Sequence, residues 1–178
     1  CYTENKFVNY WLHSEFLLVD GAKMSKSLGN FYTISDLKDV GFSSESVRYQ
    51  LIIGHYRSKI SFSFSKKQES DKIIQKLINF RALLSENNAQ VKNDDALPES
   101  YLEFRNAMND DLNAPKALGV FFSWMKKEAI RIKNGSFSAI SINSAWNYLN
   151  TFNSIFAIMP DKKLNIPEKI KELIKLRK

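Results

Sequence analysis

A chain of 178 residues with 44% hydrophobic and 13% aromatic content is long enough to bury the core of one or two domains. Its one cysteine excludes an internal disulfide framework, no apolar run is long enough to cross a bilayer, and the first residues do not read as a signal peptide. The formal net charge of +7, from 26 Lys+Arg against 19 Asp+Glu, suits a polyanionic partner, although a lysine-rich solvated face gives the same total.

In chain order, His13 is expected to pack beside Trp11 at the end of a first helix. Phe16 to Val19 reads as a short buried strand, and Asp20-Gly21 as a tight turn, because glycine takes positive φ without penalty. The turn projects Lys23-Met24-Ser25-Lys26-Ser27 as a loop, with Gly29-Asn30 as flexible punctuation behind it. Two lysines and two hydroxyls in five residues form a reaction site if the loop closes on a polyphosphate. Lysine is a compact, mobile point charge that can meet a negative charge as it develops, and Ser25 and Ser27 can donate to phosphate oxygens or brace the loop. The alternative is a solvated Lys/Ser surface loop.

Beyond the loop the pattern is helical. Thr33 with Asp36, and Ser65 with Gln68, have capping-box spacing, which starts helices near Ile34 and Lys66. Between them Ser44 to Ile53 reads as a helix with Val47, Leu51 and Tyr49 inward. Ile73, Leu77, Phe80 and Leu84 form the stripe of a long helix, with Ile74 and Ile78 alongside. The polar stretch from Asn87 to Pro98 reads as the longest and most mobile internal loop. A helix follows from Glu99 to about Asn109. Asn113 and Pro115 then open another, with Ala117, Leu118, Phe121, Phe122, Met125 and Ala129 as its stripe and an end near Gly135. Ile142, Ala145, Trp146, Leu149, Phe152, Phe156 and Met159 trace a last stripe up to Pro160. Together these stripes predict an antiparallel helical bundle over residues 64–160, preceded by a unit over 1–63 and followed by the start of a further helix within 161–178. Asp110-Asp111 reads as favouring the positive end of the helix that follows. Arg57 either touches a nucleic-acid backbone or pins the two units together.

The Lys23–Ser27 string resembles the KMSKS signature of class I aminoacyl-tRNA synthetases. Its surroundings are similar to the cysteinyl-tRNA synthetase family. The shared blocks are Phe7-Val8-Asn9-Tyr10-Trp11-Leu12-His13, the loop through Phe31, Val47-Arg48-Tyr49 with Gly54-His55-Tyr56-Arg57-Ser58, and Met108 to Leu118. Lys59 stands where the family often has proline and Ala114 where it often has threonine. The resemblance implies a mainly α chain: the end of a class I catalytic domain with its KMSKS loop, then a tRNA-supporting helical bundle. It implies an enzyme that activates cysteine with ATP and magnesium and passes it to tRNA(Cys), as a cytoplasmic monomer with no membrane partner. Lys26 first and Lys23 second would stabilise the pyrophosphate leaving group, with Met24, Ser25 and Ser27 completing the ATP-binding loop.

The family's His-Ile-Gly-His signature is absent from these residues, and so are the cysteine, histidine and glutamate ligands of its zinc; Cys1, His13 and His55 lack ligand spacing. The chain therefore reads as an internal piece of a longer enzyme, inactive alone, because catalysis needs both halves of the nucleotide clamp. Two other readings stay open: a non-catalytic module that binds tRNA or protein, and a related ligase that delivers cysteine to a small amine.

Overall fold

The computed structural model describes residues 6–87 and 97–160. The loop expected around Asn87–Pro98 falls largely, and the helix expected within 161–178 entirely, outside the described residues.

Residues 6–16 carry no helix. His13 instead lies stacked on Trp11, ring centroids 6.0 Å apart, on an exposed segment in which Phe7, Tyr10, Trp11 and Leu12 all face outward. Without an apolar face to pack against, that run has nothing to hold it helical. The chain then enters a three-stranded sheet: β1 (Leu17–Val19), β2 (Ala22–Lys23) and β3 (Ile60–Phe62), in the order β2-β1-β3. β1 and β2 are antiparallel, with Val19 opposite Ala22, so Asp20-Gly21 is the whole connection. Both turn residues have positive φ, 47° and 83°, the two-residue geometry that matches strand twist. Phe16, read as buried, is 59% exposed and lies outside β1. The alternation of the strand leaves Val19 as its one buried residue.

β3 runs parallel to β1, which requires a crossover, and α1 (Ile34–Asp39) and α2 (Ser44–Ile52) supply it. Thr33 and Asp36 form the capping box at the start of α1: the Thr33 Oγ1 accepts from the Asp36 N–H at 3.3 Å and the Asp36 carboxylate accepts from the Thr33 N–H at 2.7 Å. Leu37, Phe42, Val47 and Phe62 make a small core, with Leu17, Leu51 and Phe64 packed against it.

The second capping box does not form. Phe64–Lys66 is a 3-10 turn that takes Ser65 into itself, so the Ser65 hydroxyl bonds to the Ser63 hydroxyl at 2.9 Å, and α3 (Lys67–Glu86) starts without a side-chain cap. α3 packs with α4 (Ser100–Asn109), α5 (Ala114–Lys133) and α6 (Ala139–Phe156) into a bundle. On α3 the buried line is Ile74, Leu77, Phe80 and Leu84, with Ile73 at its edge. Phe121 and Phe152 stack at 3.6 Å with 9° between their planes, and Tyr148, Phe104 and Trp124 close around them. The stripes on α5 and α6 also bury Glu128, Ile132 and Tyr148. α6 ends at Phe156, before Pro160, on a left-handed Ala157.

α2 serves both cores. Val47 and Leu51 turn toward the small core, while Tyr49 and Ile52 join the bundle, Tyr49 lying edge-on to Phe122 at 6.5 Å. On the same helix the Ser46 hydroxyl donates to Asp71 of α3, and Gln50 accepts from the Ser63 N–H at 3.0 Å.

Candidate functional site

Lys23 is the last residue of β2, opposite Leu18, so the sheet fixes the near end of the lysine loop. The Met24 N–H donates to the Leu17 carbonyl at 3.4 Å and continues that pairing by one residue. The far end is fixed by a side chain. The Asn30 Oδ1 accepts from the Ser25 N–H at 2.8 Å, and its Nδ2 donates to the Lys23 carbonyl at 3.1 Å. Asn30 is thus a clamp across the loop, not the flexible punctuation its neighbour Gly29 suggests. Gly29 itself has φ 67° and donates to the Lys26 carbonyl at 3.2 Å.

Inside the clamp, the Ser25 and Ser27 hydroxyls bond to each other at 3.0 Å, and the Ser25 Oγ also accepts from the Leu28 N–H at 3.2 Å. Of the two roles open to these serines, bracing is the one the geometry carries. The lysines are left available. Lys23 Nζ lies 4.4 Å from the centre of the Phe16 ring and Lys26 Nζ 5.5 Å from that of Phe31. Among the described residues neither ammonium is paired with a carboxylate. Met24 and Ser25 are half-buried, whereas Lys23, Lys26 and Ser27 face solvent. Two unpaired cations on a short, hydrogen-bonded loop can bind an anion without first breaking an ion pair.

Arg57 points elsewhere. Its Nε and Nη2 donate to the Asp111 carboxylate at 2.5 and 3.1 Å, and the Tyr56 hydroxyl donates to the same group. The guanidinium also lies 5.1 Å from the Tyr56 ring centre, and His55 stacks on Tyr56 at 5.0 Å. Hydrogen bonds from Arg57 and then Tyr56 hold the Asp111 carboxyl down at about 2, and the same contact raises the Tyr56 phenol. Asp111 therefore serves this cluster, while the cap of α5 is Asn113, whose Oδ1 accepts from the Lys116 N–H at 3.1 Å. Sequence reasoning missed Asn30, Tyr56 and this use of Asp111.

Among the described residues no group of three or more His, Cys, Asp or Glu side chains is placed to hold a metal. No helix among them is long and apolar enough to cross a membrane.

Residues 1–72 match the family model of the class I (C) tRNA synthetase catalytic domain, and residues 103–159 match that of the DALR domain. The cysteine-tRNA ligase of Brachyspira hyodysenteriae is 38% identical over 97% of this chain. Those of Chlamydia caviae and Chlamydia muridarum are 33% and 36% identical, each over 96% of it. The chain spans 38%, 37% and 39% of the length of these relatives.

Proposed function

The chain belongs to the cysteine-tRNA ligase family of class I synthetases, and on that premise we propose that it is the part of such an enzyme that carries the leaving-group loop and the tRNA-side helical bundle. The intact enzyme activates cysteine with ATP and then passes it to tRNA(Cys). The cysteine carboxylate attacks the α-phosphorus of ATP, the bond to the bridging oxygen breaks, and cysteinyl-adenylate and pyrophosphate form. Negative charge collects on the pyrophosphate as that bond lengthens. Lys26 meets it first and Lys23 second, with backbone groups near Met24 against the adenine. Magnesium accompanies the nucleotide. The zinc that selects the substrate thiol is held by residues other than those described here.

Residues 1–63 form the end of the catalytic unit and 64–160 the bundle that supports the RNA. The enzyme works in the cytoplasm as a monomer. By itself the 178-residue chain has no exchange activity, because it lacks the His-Ile-Gly-His half of the nucleotide clamp.

One observation carries this reading: Lys23 and Lys26 stand on a loop braced by Asn30, Ser25 and Ser27, with no carboxylate partner among the described residues. In the full-length enzyme, Lys26→Ala is expected to lower the maximal rate of cysteine-dependent ATP–pyrophosphate exchange about 100-fold, roughly 3 kcal/mol, with a smaller change in ATP binding. An unchanged maximal rate at saturating ATP removes Lys26 from the role.

A further inference from the structure

Among the described residues, two of the contacts between the sheet unit and the bundle stand out. One is the buried face of α2, with Tyr49 in the bundle core and Ser46 bonded to Asp71. The other is the exposed cluster of Tyr56, Arg57 and Asp111, and it has three unusual features.

Asp111 takes three hydrogen bonds from two neighbouring residues, a forked arrangement that fixes direction as well as distance. The turn that presents it is strained. Asp111 and Leu112 are consecutive non-glycine residues with φ 53° and 52°, a conformation that aspartate tolerates and leucine disfavours, and that persists where surrounding contacts enforce it. Third, the cluster leads to the lysine loop through short backbone bonds. The Tyr56 carbonyl accepts from the Glu15 N–H at 2.8 Å, and the Phe16 carbonyl accepts from the Ile60 N–H at 3.3 Å. These bonds hold the entry to β1, which pairs with β2 up to Lys23 and gives the Leu17 carbonyl to Met24.

We propose that Asp111, acting through Tyr56 and Arg57, is a positioning residue for the lysine loop, so that the α4–α5 turn of the bundle sets how firmly residues 23–30 are held. The α2 contact is buried, whereas the Tyr56–Arg57–Asp111 cluster is exposed and directional. This deepens the functional reading above by naming what supports the loop, but the coupling itself is a property of the folded chain and needs no activity to be seen.

The test is amide hydrogen exchange on the purified 178-residue chain, comparing wild type with Asp111→Asn, Arg57→Gln and the double variant. Asparagine keeps the tolerance for positive φ and removes the charge. The expected result is a several-fold faster exchange at Met24, Ser25, Leu28 and Gly29 in either single variant, with the amides of Leu77 and Phe121 unchanged. The double variant is expected to be no worse than a single one, since both remove the same link. Arg57→Lys, which keeps the charge but loses the fork, is expected to fall between. Faster exchange confined to residues 55–57 and 108–113, with the loop unaffected, overturns the proposal and leaves Asp111 as a local tie. Additive loop effects in the double variant overturn it as well. Neither outcome bears on Lys26, whose role is read from exchange of pyrophosphate.

Discussion

The lysine loop and the bundle core are held by different physics. In the core, aromatic rings stack and meet edge to face around Phe121 and Phe152, and the side chains of Leu77, Leu84, Ala107, Ala117, Phe121, Tyr148, Leu149 and Phe152 are fully buried. Much of its stabilisation comes from removing apolar surface from water, which is insensitive to the direction of any one group. No residue of the loop is fully buried, and only Met24, Ser25 and Asn30 are half-buried. The loop keeps its shape through the Asn30 clamp and the paired serines, bonds that are each modest in net worth and strongly directional. The difference teaches where each property sits: rigidity that tolerates neglect belongs in the core, while exposed charges without ion-pair partners among the described residues sit on a loop with little local stability.

The sharpest way to separate the two is to remove one ring. Phe121→Ala takes away the partner of Phe152 and leaves a cavity in the centre of the bundle, so a loss of about 3–5 kcal/mol is expected in denaturant unfolding of the chain. A cost below about 1 kcal/mol would mean that the core is more plastic than its close stacking implies. By contrast, Lys26→Ala removes a solvent-facing cation with no carboxylate partner among the described residues, so the unfolding midpoint is expected to hold, and under the proposed role the loss is expected in pyrophosphate exchange by the full-length enzyme.

Breaking the loop needs a different substitution. Asn30→Ala deletes both bonds of the clamp, each worth about 1 kcal/mol net, from a site with few other contacts. The expected outcome is local: trypsin cuts after Lys23 and Lys26 faster than in wild type, while the midpoint of global unfolding moves little. Cleavage at an unchanged rate would show that the sheet end at Lys23, and not Asn30, holds the loop.

How much of this was legible in the sequence follows from the range of the interactions. The hairpin at Asp20-Gly21, the box at Thr33 and Asp36, and the stripe of Leu77, Phe80 and Leu84 are written within a few residues, where turn geometry and helical period act. Ser65 and Gln68 had the right spacing but not the right backbone, because the preceding strand delivers the chain into a 3-10 turn. Glu128 and Tyr148 lie outside the apolar stripes read from the sequence, yet both are buried, the Glu128 Oε2 accepting from Arg131 at 2.8 Å. In the candidate site the lysines and serines are contiguous and could be named at once. Asn30 could not, since its bonds depend on how the loop closes. The Arg57–Asp111 contact spans 54 residues and rests on a strained turn that no local pattern announces.

The smallest expected effect concerns that contact, and its sign can be worked out. Asp111 has its carboxyl held at about 2 against an ordinary 3.8, chiefly by the hydrogen bonds from Arg57 and Tyr56. A depressed folded value means that the charged form is favoured by folding, so the contribution is fully present above the ordinary value and is lost as the pH falls through the folded one. Comparison with Asp111→Asn isolates it, because Asp36, whose carboxyl is also lowered by its Thr33 bonds, titrates alike in both proteins. The difference between their unfolding midpoints is expected to stay level through neutral pH and shrink between about pH 4 and pH 2. Both partners are exposed, so added salt should shrink it too. A difference that persists unchanged at pH 2 would assign the effect to the shape of the turn, and the comparison of wild type with asparagine would then measure backbone preference at φ 53° instead of charge.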